Sequence, residues 1–342
     1  MRGHGVLQRA DADEGGAMNS KSCKRGMVVM LVVLLSVVCG PTRSQEYPNK
    51  PVRVIVPFPA GGGADVGARL IGRKLSESLG QPVIFDNRVG ASGVLGADVA
   101  SKSRPDGYTL LWAETGILAI NPGIYKELPY RPIEDFDPIS LALTSPLLLV
   151  ADPALRINSV ADLIALAKAK STLNYSSSGN GSPQHLAMEW FKYLTGTNLT
   201  HVPYKGTASF DAVIAKEVSV TFGSVLGLLP YVRGGRVTPI AITSQRRSHL
   251  FPDLPSVAEA GVAGFEIGYW YGALAPRGTP SPIIGKLSSF IASHVNSAEM
   301  KERFMQDGVD AVGSTPEQFS VLIKSELRKW SEIVKISGAK VD

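Results

Sequence analysis

Cysteine is nearly missing from this 342-residue chain: Cys23 and Cys39 are the only two, and both precede Gln45. From there on no thiol is available, which excludes a disulfide framework, a cysteine metal site and a thiol nucleophile. Basic runs are equally scarce. The formal charge is +5, but residues 1–44 hold six Lys/Arg and three Asp/Glu, so the remainder carries only +2. That balance gives no footing for a nucleic-acid partner. Long apolar runs occur in one place, "MVVMLVVLLSVVCG" (27–40), preceded by Lys21, Lys24 and Arg25. A basic segment followed by an apolar stretch of this length has the form of a secretory signal, and it is short for a membrane-spanning helix.

Met18 gives this leader a more usual start than Met1 does. Thr42 and Ser44 occupy the −3 and −1 positions of a cut before Gln45, whereas Val38 ahead of Cys39 fits a lipoprotein signal poorly. The expectation is a signal peptide over about residues 18–44 and a mature chain in the periplasm.

Catalytic signatures are missing as well. No G-x-S-x-G elbow occurs, since Ser92 is followed directly by Gly93. His185, His201, His249 and His294 are scattered, with no H-E-x-x-H and no close pair in sequence. The carboxylate pairs Glu134 with Asp135 and Glu299 with Glu302 fall on turns and helix faces expected to be solvated. Nothing calls for a cofactor, a metal or an enzymatic role.

What is present is alternation of short β-branched runs with helical segments. "VRVIVPF" leads to a helix ending at Leu79, then come "PVIFDNR", a helix from about Val94 to Lys102, and "YTLLWAE". Such spacing means βαβ units with parallel strands. Gly80 with Pro82 closes the first helix, Ser159 with Asp162 opens another, and Thr315, Pro316 and Gln318 open the last. After the strongly apolar "PLLLVAD" (146–152) a second α/β block runs to "TPIAITS", and "YWYGALAPRGTP" (269–280) precedes helices to the end. A helical tail with no new sheet of its own packs back on the first block. The expected lobes are therefore 45–146 plus 270–342, and 147–269, with two crossovers as a hinge around a cleft.

The bend "PFPAGGGAD" stands between strand and helix, where a phosphate loop would stand. It fails as a P-loop, because Ala68 and Arg69 replace Lys and Ser/Thr, and as a dinucleotide fingerprint, because Val66 replaces the third glycine. Similar loops precede helices at "VGASG" (89–93), "SSSGNGSP" (176–183) and "KGTAS" (205–209). Each offers unpaired N–H groups and the positive end of a helix. Glycine, serine and proline are also ordinary turn and cap residues, so any single loop is explained without a ligand. Four of them, with little Lys or Arg inside, suit a carboxylate that must be released again. Tyr269, Trp270 and Tyr271 sit where a strand edge faces that cleft, His185 beside the "SSSGNG" loop suits a ligand contact or a local hydrogen bond, and Trp112, Trp190 and Phe191 read as core.

These segments, with "PDGYTLL", "VPYKGTASFDAVIAKEV" and "PDLPSVAEAG", resemble in order and spacing the Bug-type receptors, the extracytoplasmic solute-binding proteins of the tripartite tricarboxylate transporter family. The likeness spans about residues 46–342. It implies an α/β, two-lobed periplasmic-binding-protein fold (type II), each lobe a mixed sheet flanked by helices, closing on a small-molecule carboxylate and engaging integral membrane transporter subunits transiently. A monomer is the expected state. Carried over by motif, the ligand-binding positions are Phe58, Pro59, Ala60, Gly61 and Asp65 in the first loop, Ser92 and Gly93 in the second, and Thr115 and Gly116 after the third strand. The second lobe adds Ser177, Ser178, Gly179 and His185, then Lys205 and Gly206, and Gly223. Many members carry Asp where this chain has Ser219 and Gly223, which points away from an amino acid and toward a di- or tricarboxylate or an aromatic acid. The alternatives are a sensing receptor that feeds a signalling partner, and an exported α/β hydrolase, which the missing nucleophile elbow disfavours.

Overall fold

Sixteen residues of one strand, β4 (Phe136–Ala151), organise the chain. The computed structural model describes residues 47–170, 172–205 and 208–340, so the expected leader and Gly206 lie outside the described residues. Within them β1 (Val52–Val56) pairs in parallel with β2 (Val83–Asn87) and β3 (Thr109–Glu114), as the βαβ pattern predicts. Antiparallel β9 (Gly268–Pro276) lies between β3 and β4. β4 stays with β9 as far as Pro146↔Gly268, and from Leu147 it pairs instead with β7 (Val220–Ser224) and β8 (Thr238–Ile242). Parallel β5 (Asn174–Ser177) and β6 (Thr200–Pro203) extend that second sheet beyond β7. β4 thus belongs to both sheets, and its run from Leu147 to Ala151 is wholly buried, which is why that stretch reads as continuous apolar sequence rather than alternation.

Helices cover both faces of each sheet. Over one face of the first sheet lie α1 (Gly63–Leu79), α8 (Ser281–Val295) and α9 (Ala298–Gln306), which contribute Ile71, Leu75, Leu287, Ile291 and Phe304 to a core with Val54, Val56 and Trp112. Over the other lie α2 (Val94–Ser101), α3 (Asn121–Ile124) with the wide turn Gly116–Ile120 before it, and α10 (Pro316–Ser337). In the second half, α4 (Val160–Ala169) and α5 (Pro183–Thr195) join the core that includes Tyr175, Phe191 and Phe222, while α6 (Ala208–Ile214) and α7 (Val225–Arg233) pack on Leu148 and Val150.

Local sequence accounts for most helix ends. Gly80 is left-handed at φ 64° and its N–H reaches Ser76 O, while Ser159, Ser182 and Ser224 each accept from the backbone N–H three residues on. Thr315 and Gln318 form the reciprocal capping box that their spacing announces. Two elements go unread in the sequence. In the tail it is the two-residue β10 (Asp310–Ala311), which joins the existing sheet on β4 and is too short to show any alternation. The helix α7 goes unread because Gly227 and Pro230 lie inside it and argue locally against a helix. Phe191 is core as expected, whereas Trp190 is only half-buried and stacks on exposed Tyr193.

The tail helix is tied to the shared sheet by one buried acid. Glu326 Oε2 accepts from the indole nitrogens of both Trp270 on β9, at 3.1 Å, and Trp330 on α10, at 2.8 Å, and Lys329 pairs with the same carboxylate. Glu326→Ala would orphan two buried donors. The expected loss is about 2–5 kcal/mol in urea unfolding, against less than about 1.5 kcal/mol for Glu326→Gln, which keeps an acceptor in place.

Candidate functional site

Strand register sets the floor of a cavity of about 480 Å³. Glu114 on β3 stands opposite Tyr271 on β9, Tyr271 opposite Leu143 on β4, and one step along Tyr269 stands opposite Ser145. All five side chains share one face, and all five line the cavity. Trp270, between the two tyrosines, points to the other face and is core. Of the three aromatics expected at the cleft, two therefore reach it. The tyrosine rings lie nearly parallel with centroids 6.2 Å apart.

Three helix starts form the walls. The first is the glycine loop, where Phe58, Pro59 and Gly61 through Ala64 line the cavity and no side chain caps α1. Gly61 is left-handed at φ 81°, a conformation an L side chain rarely adopts. Its N–H donates to Asp65 Oδ2 at 2.9 Å, while Arg69 and Asn87 also donate to that carboxylate, and Asn87 Nδ2 reaches Phe58 O as well. Burial pushes the Asp65 carboxyl up, but these donors outweigh it and hold the group at about 2. Its lone pairs are committed to the loop.

The second wall is the start of α5. Ser178 Oγ donates to Gln184 Oε1 at 2.9 Å, and Gln184 lies in the cavity wall within reach of the Tyr269 hydroxyl. Behind it His185 and His201 stack with centroids 4.1 Å apart. They are a close pair in space that strand β6 and helix α5 create and that their sequence separation conceals. His185 Nδ1 accepts from Gly181 N–H, His201 Nε2 meets Ser177 Oγ at 2.7 Å, and burial followed by the neighbouring imidazole lowers His185 to about 4. The pair stiffens the loop from beneath. A third wall is the start of α7, with Ser224 and Leu226.

Of the positions carried over by motif, Phe58, Pro59 and Gly61 line the cavity, and Ser178 reaches it through Gln184. Several others turn inward instead. Thr115 accepts from Trp270 N–H and donates to Gly268 O, and Ser177 and His185 brace their loop. A Cβ on Gly93 would collide with Ile117, and one on Gly223 with Phe210 and Leu228. Ser92 is exposed and its carbonyl accepts from Asn121; Ala60 and Lys205 are exposed, Gly116 and Gly179 half-buried, and none of these lines the cavity. Among the described residues the starts of α2 and α6, expected to converge with the others, do not line it either. Sequence reasoning missed Glu114, Ser145, Gln184 and Ser224. The one available signal was a charged residue closing an otherwise apolar strand, "TLLWAE".

Glu114 is open to the cavity yet set deep in the protein, and this burial raises its carboxyl to about 7. Burial and then the Glu114 charge raise both tyrosine hydroxyls, which stay neutral. A second cavity, of about 340 Å³, lies between residues 244–249 and 305–310 and contains Arg246, Arg247 and His249, but none of the glycine loops. The helix starts single out the larger one.

The family model described as "Tripartite tricarboxylate transporter family receptor" matches residues 67–339. Protein BugT of Bordetella pertussis is 35% identical over 317 residues, covering 92% of this chain and 97% of that protein. Among solved structures, Rpa4515 of R. palustris with adipate superposes with a TM-score of 0.77 at 35% identity, covering 86% of this chain and all of that one. MatC from Rhodopseudomonas palustris with bound malate gives 0.72 at 30% identity, covering 84% of this chain and all of that one.

The brace at Asp65 has a pH signature. Its folded pKa of about 2 lies below the ordinary 3.8, so its contribution is complete above about pH 4 and is lost as pH falls through about 2. Relative to Asp65→Asn, the wild-type chain should lose about 2 kcal/mol of stability between about pH 5 and pH 2, measured by urea unfolding at each pH. Parallel pH profiles for the two would remove the brace from the account.

Proposed function

Because this chain belongs to the tripartite tricarboxylate transporter receptor family, a family of solute-binding receptors rather than enzymes, we propose that it captures a small organic carboxylate in its interlobe cleft, in the periplasm, for uptake by membrane transporter subunits. One observation carries the reading: three helix starts, with Gly63, Gln184 and Ser224 in the lining, border a single cavity that no Lys, Arg or His among the described residues lines. Helix N-terminal amides and hydroxyls attract an anion without the strong grip of an arginine clamp. Adipate and malate in the two solved relatives are carboxylates of this kind.

The lobes we assign are residues 45–146 with 270–342, and 147–269. The change of partner along β4 after Pro146 supports a hinge there. Phe58, Pro59, Gly61 and Ser178 are the proposed ligand contacts among the motif positions, joined by Gln184 and Ser224. Asp65, Thr115, Ser177 and His185 brace the loops that carry those contacts. The narrower expectation of a di- or tricarboxylate or an aromatic acid rested on the missing acid at Gly223, and Glu114 reopens it.

A thermal-shift panel on the mature chain tests the proposal. A cognate carboxylate at a hundredfold excess over its dissociation constant should stabilise the folded state by about 2.7 kcal/mol. If a broad carboxylate panel leaves the midpoint unmoved while a sugar or a metal cation raises it, the reading is wrong.

A further inference from the structure

The cavity carries a charge imbalance. Two acids line it, Glu114 and Asp307, with no cationic side chain among the described lining residues. Asp307 has its own partner, Arg303 at 3.7 Å. Glu114 has none: among the described residues no hydrogen bond or ion pair reaches its carboxylate, and its close surroundings are the two stacked tyrosines and the backbone at Gly116. An ionised carboxylate held in such a place without a counter-ion is costly. In a binding cavity the missing counter-ion is supplied most directly by the ligand, and tyrosine rings beside a carboxylate make a favourable setting for a cation.

Resting on the carboxylate reading above, we propose that the ligand also bears a protonated amine and that Glu114 is the residue that selects it. The ligand carboxylate lies at the starts of α1, α5 and α7, and the ammonium lies against Glu114 beside Tyr269 and Tyr271. The absence of an acid at Gly223 does not oppose this, because a side chain there would run into Phe210 and Leu228. The acid comes from β3 instead, in the other half of the sheet. A plain dicarboxylate would bring its second carboxylate toward Glu114, and the two would repel unless a proton were bound between them.

The titratable groups facing Glu114 allow a clear pH dependence. Tyr269 and Tyr271 of β9 stay neutral, Asp307 adjoins the end of α9, and α1, α5 and α7 present no titratable side chain to the cavity among the described residues. Glu114 must be ionised to pair with an ammonium, so affinity for an amino acid should rise from about pH 5.5 to about pH 8. Affinity for a dicarboxylate should fall over the same range.

Calorimetry on the purified mature chain, with pairs that differ only by the amine, decides the matter: aspartate against succinate, glutamate against glutarate, leucine against isocaproate. In the best-binding pair the amino member should bind roughly tenfold or more tighter. Glu114→Gln, nearly isosteric, should weaken the amino member by a similar factor and tighten its partner. Equal or tighter binding of the amine-free member to the wild-type chain overturns the proposal, as does a preference that survives Glu114→Gln. Carboxylates that bind without regard to the amine sink this inference alone; failure of every carboxylate sinks the receptor reading with it.

Discussion

Backbone pairing of one strand sets most of this structure. β4 has 16 residues whose hydrogen-bonding groups must be satisfied in a largely dry interior, and no single sheet satisfies them all. The strand uses β9 up to Pro146 and β7 with β8 beyond it. Because side chains alternate with period two, that pairing also decides which residues face the cavity: Leu143 and Ser145 do, beside Tyr271 and Tyr269, while Trp270 is sent to the opposite face and into its bond with Glu326. The floor of the site and the anchor of the tail helix are consequences of one register.

Polar side chains in the binding loops divide their labour according to burial. Asp65, Thr115, Ser177 and His185 are almost completely buried, and each has partners in neighbouring backbone or side chains. A buried polar group that is fully bonded has nothing left to offer a ligand, but it holds a loop in a conformation that the loop would not keep alone. The left-handed backbone at Gly61, Ala91, Ser92, Gly93 and Gly181 belongs to loops supported in this way. What is then presented to the cavity is backbone N–H, hydroxyl and amide, with Glu114, among the described residues, as the one unpartnered carboxyl in the floor.

Much of the fold was legible in the sequence because its signals are local. The first helix with its Gly80 end, the Thr315 capping box, the Ser182–Pro183 start and the βαβ alternation each depend on residues within a few positions of one another. The motif resemblance reached the right family for the same reason, as motifs are local too. Where local signals conflicted with packing they misled: Gly227 and Pro230 hid α7, whose stability comes from Val225, Leu228 and Leu229 buried against the second sheet.

By itself the sequence determined the α/β class, the order of elements, the scarcity of cysteine and of cationic loops, and which loops open helices. Only the tertiary structure decided which of those loops meet. Among the described residues the starts of α1 and α5 line the cavity and those of α2 and α6 do not, although α1 and α2 follow neighbouring parallel strands, as do α5 and α6. It also paired His185 with His201 and placed Glu114 opposite Tyr271. Such meetings depend on strand register and on the path between distant segments, quantities that no short window of residues contains.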